Sequence, residues 1–580
     1  MTVFESIDAG LTNLLGQWSV YSTALATVLV LILSYRVLSA QDPDIHPMLL
    51  ARQSTASTVR HEGQSAVYRS QIVPHGSGLR AGLDIKDAGA PKWSRGRDGD
   101  VRDIWRARGR QANQGTGKLL TVLGSQSVIE HSYDELTRQI GLVGRHMAEQ
   151  GGIRVAVYLP NSWELVMTLL ACSFFPNLTC VLMPYDVSDE ELVSMLRRSA
   201  ADTVVTASGA FPLDRVVEAY PSLRQLVWVV EGASSHLDWS EVPEGAGGSV
   251  NVATWQDIVQ DTSASAGDLP GTGADGAAAA SDVVVFWRNA TGGVGDMVRF
   301  TQANIVAGVA GQLAGIPAKD RFDASDLFLP ADSLAHVHTL TLTLAALYSH
   351  SSVALNSVAD RAADLEVATR GVAPTVVVAS PATLLATHAR SAARLAASPA
   401  ARLAHALARR TLAVEGVFSP ANVLSTLSSA TRPVVGTTPG KLRLLYVAER
   451  ANGSPSLHPL SSSPIGADDG SRRGGDERIS AEVLSDLRIF TGSRIIYALS
   501  AAKVAGAVAQ TALYDYRVGK DHFGAPLPSV EIYLRDVGEY KTTDEGAAGE
   551  IHVRGPAVAG EEANIGVIGV IGEDETLAYA

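Results

Sequence analysis

Residues 286–304 read FWRNATGGVGDMVRFTQAN, and this stretch decides the fold. An apolar run leads into it, Asp282-Val-Val-Val-Phe-Trp287, which predicts a short buried strand. A turn of small residues follows, Ala290-Thr-Gly-Gly-Val-Gly295, and then an apolar segment that starts a helix at Thr301. Strand, glycine-rich turn and helix can together cradle a phosphate, because glycines let backbone N–H groups approach an anion closely. The same order also serves as an ordinary connection between strand and helix. The rest of the chain has to choose between the two.

At 580 residues the chain is too long for one simple core, which predicts two or three subdomains. Its apolar fraction of 46% and charged fraction of 18% are those of a globular protein. A net charge of −13, with no strongly basic domain to balance it, excludes nucleic acid as a main partner. The two cysteines, Cys172 and Cys180, both sit in apolar sequence and read as buried thiols, not as a disulfide or a metal site. The fourteen histidines are scattered, without zinc-ligand spacing.

Residues 11–35 contain no charge, and 18–38 are dense in Val, Leu, Ile and Ala. That length predicts one N-terminal transmembrane helix, bracketed by Trp18 and Tyr35. A cleaved signal peptide would want a basic start, whereas Glu5 and Asp8 occur here. Arg36, Arg52, Arg60 and Arg69 follow the segment, so the positive-inside rule expects the bulk of the chain on the cytosolic side. From 51 to 118 thirteen Lys/Arg face six Asp/Glu, a basic lead-in that either rests on anionic lipid or packs along the globular body.

Beyond the lead-in, strand and helix signals alternate. Arg154-Val-Ala-Val-Tyr158, Cys180-Val-Leu-Met183, Thr203-Val-Val-Thr206 and Gln225-Leu-Val-Trp-Val-Val230 read as strands. Between them lie helices that start after Ser132, Ser162 and Ser188. Such alternation predicts βαβ units and parallel sheets flanked by helices. After about residue 520 the texture changes to antiparallel-type alternation, as in Val530-Glu-Ile-Tyr-Leu-Arg-Asp536. The expected organisation is an anchor over 1–40, a basic arm over 41–118, an α/β domain over 119–520 with flexible loops near 241–280 and 451–478, and a β-rich subdomain over 521–580.

In this order the segments resemble the adenylate-forming (AMP-binding) superfamily, the acyl-CoA synthetases and their relatives. The resemblance rests on Leu159-Pro-Asn-Ser-Trp-Glu164, on Pro184-Tyr-Asp-Val-Ser-Asp-Glu-Glu-Leu192, and on Leu329-Pro330 with His336 beyond it. It rests further on Ser380-Pro-Ala-Thr-Leu-Leu385, Gly524-Ala-Pro-Leu-Pro-Ser-Val-Glu-Ile532 and Gly549-Glu-Ile-His-Val-Arg-Gly-Pro556. The anchor and basic lead-in look most like the long-chain fatty acyl-CoA synthetases. Members of the superfamily react a carboxylate with ATP–Mg²⁺ to an acyl-adenylate and pass the acyl group to a thiol such as coenzyme A.

The resemblance implies a site, and this chain departs from it. Aligned on Thr301-Gln-Ala-Asn304, the phosphate loop falls on 288–296. Thr291, Gly292 and Gly293 remain, but Asp296 stands where a lysine would grip the phosphates. The nucleotide motif falls on 497–501, keeping Tyr497 for adenine and Ser500 for a hydroxyl contact, with Ala501 at the magnesium carboxylate. Val567 falls where an Asp would hold ribose, and the family's mobile C-terminal domain, with its lysine, has no counterpart before Ala580. His336 is the candidate for the acyl pocket. The resemblance therefore implies a membrane-anchored, catalytically degenerate protein of fatty acid and lipid metabolism at the endoplasmic reticulum or another cytoplasm-facing membrane. It would bind fatty acid or acyl-CoA and AMP or ATP. The alternative is an active ATP-dependent long-chain fatty acid–CoA ligase, which alone would require ATP and Mg²⁺ as cofactors.

Overall fold

The computed structural model describes residues 12, 16, 19–38, 42–87, 89–91, 93–110, 115, 117–124, 127–230, 250–260, 269–270, 279–288, 294–418, 431–451, 478–519, 521–543 and 546–580. The chain divides into two units, Met1–Asp44 and Ile45–Ala580.

The first unit holds the helix Val20–Leu38. No helix among the described residues is long and apolar enough to cross a membrane. This corrects the expected transmembrane helix, and with it the placement at the endoplasmic reticulum. The physical reason lies in the helix's own sequence. Its nineteen residues rise only about 28 Å, and Tyr21, Ser22, Thr23, Thr27 and Ser34 interrupt the apolar side chains.

The second unit is built on three sheets. The first has Val294–Phe300 antiparallel at its edge, followed by the mutually parallel strands Val283–Arg288, Thr179–Leu182, Arg154–Tyr158, Thr203–Ala207, Gln225–Val229 and Asn251–Thr254. The second has six parallel strands, Arg494–Ser500, Leu444–Arg450, Val376–Ala379, Leu327–Ala331, Ser352–Leu355 and Leu119–Leu123. Antiparallel strands close its two edges. The third is antiparallel throughout, in the order Ser54–Arg60, Ala66–Ser70, Glu531–Arg535, Ala548–Arg554, Glu562–Ile571, Leu577–Tyr579. The parallel strands are buried on both faces and read as continuous Val, Ile, Leu and Ala runs, as helix-covered parallel strands must.

The helix starts follow local chemistry. Ser162, Ser188 and Thr301 each accept a hydrogen bond from the backbone N–H three residues on, and Ser188 and Thr301 complete reciprocal capping boxes with Glu191 and Asn304. The residues after the glycine turn differ from expectation, because they form a second strand before the helix begins. In 294–300, Val298 and Phe300 point inward while Met297 and Arg299 are exposed, a period of two that selects β structure. The 241–280 region, expected to be a loop, contains the strand Asn251–Thr254 and the helix Trp255–Val259. Most of the region, like 452–477, lies outside the described residues.

The lead-in supplies two strands to the third sheet and the helix Val101–Arg110. Several of its arginines pair with acidic side chains of the fold or are buried in it. Arg52 faces Glu575, Arg69 faces Glu531 and Arg97 faces Asp103, while the buried Arg108 donates to the carbonyls of Ser351 and Gly117.

Helix Gln302–Ala314 carries Gly308 against the chain that follows Arg494–Ser500. A Cβ at 308 would lie 2.5 Å from the Ala505 carbonyl oxygen, a backbone atom that cannot swing away. Helix propensity alone favours alanine by about 1 kcal/mol. Gly308→Ala is nevertheless expected to destabilise the protein by about 1–3 kcal/mol, through overpacking. A chemical denaturation series checks this; a more stable variant would contradict the close contact.

Candidate functional site

The second sheet sets the site. Its register aligns Ala331, Ala379, Val447 and Tyr497 in one row across four parallel strands. Residues just beyond that row emerge together at the carboxyl ends of the strands, where α/β sheets bind ligands. Asp332 follows the first of these strands, Glu449 and Arg450 end the third, and Ser500 ends the fourth.

Asp332 is the hub of the charged part. Its carboxylate lies 3.2 Å from Arg450 Nη2 and 3.2 Å from His336 Nδ1, and it accepts a hydrogen bond from the Thr339 hydroxyl at 2.9 Å. Burial alone would raise its pKa, but Arg450 and the Thr339 hydroxyl hold it below the usual carboxylate range, His336 adding to this only when its ring is protonated. Arg450 Nη2 also approaches His336 Nδ1 at 2.8 Å. A guanidinium can only donate, so Nδ1 accepts and the imidazole is neutral, with its proton on Nε2. Burial, helped by Arg450, lowers the His336 pKa in agreement with that assignment.

The loop bearing these groups is pinned from the first sheet's side. Asn161 Nδ2 donates to the carbonyls of Pro330 and Asp332 at 3.2 and 2.8 Å, and its Oδ1 accepts from the Leu334 N–H at 2.8 Å. The segment containing Leu159-Pro-Asn and the segment containing Leu329-Pro thus meet in space.

On the neighbouring strands Tyr497 is buried. Its hydroxyl donates to the Glu449 carboxylate, and Phe523 packs on its ring at a centroid distance of 5.1 Å. Burial and then the adjacent Glu449 raise its pKa far above the ordinary phenol value. The Ser500 hydroxyl donates to the Glu449 carbonyl at 2.9 Å. Ala501 is 2% exposed and belongs to the apolar core.

Among the sequence-predicted residues, the structure brings His336, Tyr497, Ser500 and Ala501 to one end of the second sheet. Asp296 stands exposed on the edge strand Val294–Phe300 of the first sheet. Thr291, Gly292 and Gly293 lie outside the described residues. Arg299 is paired with Asp282, and Val567 lies in the third sheet, within Glu562–Ile571. Sequence reasoning missed Asp332, Glu449 and Arg450. The one available signal was the pair Glu449-Arg450 closing an otherwise apolar strand.

Two sheets of mainly parallel strands, with a row of strand ends on the second, make this an α/β protein of the kind that binds ligands at strand ends. A family model described as "AMP-binding enzyme" matches residues 110–561, and the chain belongs to that family. Solved structures agree in fold. The anthranilate CoA ligase AuaEII, in complex with anthranoyl-AMP, aligns with a TM-score of 0.56 at 16% identity, over 85% of this chain and 79% of that one. A benzoate CoA ligase from Burkholderia xenovorans LB400 aligns at 0.53 and 15%, over 83% and 80%. The ATP-bound MatB from Rhodopseudomonas palustris aligns at 0.52 and 16%, over 83% and 78%. No curated protein matches the chain.

The position expected to supply a magnesium carboxylate is occupied by the buried methyl of Ala501.

His338, the second residue of the helix Val337–Tyr348, gives the site a measurable pH response. Burial lowers its pKa from 6.5 to about 4. Between those values the unfolded ring binds a proton and the folded ring does not, so its contribution is complete above pH 6.5 and is lost as pH falls toward 4. The amount is roughly 3 kcal/mol at most. His338→Gln is expected to flatten the fall of the thermal midpoint between pH 6.5 and 4. An unchanged slope would show that the ring is not held neutral.

Proposed function

We propose that this chain is a catalytically degenerate member of the AMP-binding family that binds a carboxylic acid at the Arg450–His336 site and does not adenylate it. The observation that carries the proposal is the closure of the site's charges on one another. Asp332 neutralises Arg450, Glu449 takes the Tyr497 hydroxyl, and Phe523 covers the Tyr497 ring on which adenine would stack.

The charges an adenylation site needs are also displaced. A triphosphate in a loop ending at Asp296 meets an anion where a cation is required, which costs about 1–4 kcal/mol even when well screened. Arg299 offers no replacement, being engaged by Asp282. Without a carboxylate at 501, the metal that normally spreads the phosphate charge loses a ligand, and electrostatic stabilisation of this kind is usually the largest part of such catalysis.

The acid-binding part retains its means. Arg450 Nη2 lies 2.8 Å from Nδ1 of His336, the N-cap residue of Val337–Tyr348, and a helix N-terminus favours an anion. The expected tie to fatty acids leaned on a membrane helix that the described residues do not provide. It leaned also on a basic lead-in in which Arg52, Arg69 and Arg97 pair with acidic side chains of the fold. The proposal is therefore restricted to carboxylic-acid binding.

ATP–pyrophosphate exchange tests it. With benzoate, hexanoate or hexadecanoate as acid, exchange is expected to stay at the protein-free background. Exchange above background that disappears in Tyr497→Ala would overturn the proposal.

A further inference from the structure

The helix Ala481–Thr491 and the segment that turns back after Arg494–Ser500 enclose a cleft of about 300 Å³, its open mouth included. Its walls include Leu484 and Arg488 from the helix, Tyr497 from the strand, and Asp515, Arg517 and His522 from the returning segment. Arg488 Nη2 donates to the Ile495 carbonyl at 3.3 Å. Ile495 is the second residue of its strand, about 16 Å back from Ser500 at the carboxyl end. The cleft therefore runs from Tyr497 back beside the amino-terminal half of the strand. Asp332, His336 and Arg450 meet at the other end of the sheet.

Most of the charges around the cleft are committed to one another. Arg517 donates from Nε and Nη2 to the two oxygens of Asp515 at 2.9 and 2.6 Å, and also meets Asp574 at 2.8 Å. Gln53 donates to Asp515 at 2.8 Å. His522 Nδ1 accepts the Gly524 N–H at 3.1 Å, so the ring is neutral and its Nε2 proton faces Asp515 at 3.5 Å. The exposed Asp521 accepts the Ala481 N–H at the start of the helix, at 2.6 Å.

Arg488 is the exception. It is 3% exposed, yet the Ile495 carbonyl is its one hydrogen-bond partner among the described residues, and its buried Nε has none. Apart from that bond, its guanidinium lies 5.5 Å over the Tyr516 ring. Burial pushes its pKa down to about 10, which Asp515 offsets only in part. A guanidinium offers five N–H donors, and one buried this deeply is normally met by an anion. The missing partner comes from outside the chain.

We propose that this cleft binds a small monocarboxylate, its oxygens taking the unpartnered N–H groups of Arg488 and its short apolar body lying against Leu484 and the Tyr497 ring. A carboxylate matches the planar, paired donors of a guanidinium. Its single charge is balanced by Arg488, whereas a doubly charged phosphate would add a second negative charge beside Asp515, which repulsion disfavours. This site is separate from the Arg450–His336 site and stands without it.

Calorimetric titration of the full-length chain at pH 7.5 with propanoate and with inorganic phosphate tests the proposal. Propanoate is expected to bind at least about tenfold more tightly than phosphate, a difference of about 1.4 kcal/mol. Arg488→Met, close in shape and without the charge, is expected to weaken propanoate by about tenfold or more. Arg488→Lys keeps the charge but not the paired donors, is expected to weaken it by at least about threefold, and decides the matter should the methionine variant fail to fold. Propanoate affinity unchanged within twofold in the Arg488 variants would overturn the proposal, as would phosphate binding as tightly as propanoate, or no propanoate binding at all. Propanoate binding lost in Arg450→Lys and kept in the Arg488 variants would place the acid at the Arg450–His336 site alone, overturning this proposal and leaving that reading intact.

Discussion

The contact between Asp332 and Arg450 joins the ends of two strands that are separated by Val376–Ala379 in the second sheet. It depends on parallel register, since a shift of one residue on either strand would turn one partner to the other face. Asn161 holds the Asp332 loop at the correct height, and the same loop delivers His336 to the start of its helix. An uncompensated aspartate at this depth would be costly, and an uncompensated arginine equally so. The pair therefore keeps the head of the sheet folded and at the same time decides which charges remain for a ligand.

That double role separates binding from chemistry. Adenylation requires a site with a surplus of positive charge to hold a triphosphate and its metal. Here Arg450 is neutralised by Asp332, Asp296 adds a negative charge at the edge of the neighbouring sheet, and Ala501 places a methyl group in the core. A singly charged carboxylate makes smaller demands, which Arg450 meets only by sharing its guanidinium with Asp332.

The parts of the fold that were legible in the sequence are those governed by local chemistry. The Val- and Leu-rich runs at 154–158, 203–207 and 225–229 became strands because a doubly covered sheet requires such runs, and Ser162 and Ser188 became caps as serine does before a helix. The order of the motifs carried the family. The strands of the lead-in were not legible, since both are half exposed and the hairpin joins the sheet only through Ala66–Ser70, whose partner lies more than 460 residues away. The transmembrane expectation failed because an apolar average over 18–38 concealed hydroxyls spaced through the helix. Asp332 and Arg450 were missed because their contact spans 118 residues.

The central claim is that this fold has kept a carboxylate site and lost its metal-assisted hold on nucleotide. Isothermal calorimetry of ATP binding to the full-length chain, with and without Mg²⁺, tests it most directly. The account predicts no detectable Mg²⁺ enhancement of ATP affinity. An increase of tenfold or more on adding Mg²⁺ would mean that a metal-binding nucleotide site survives, and would contradict it.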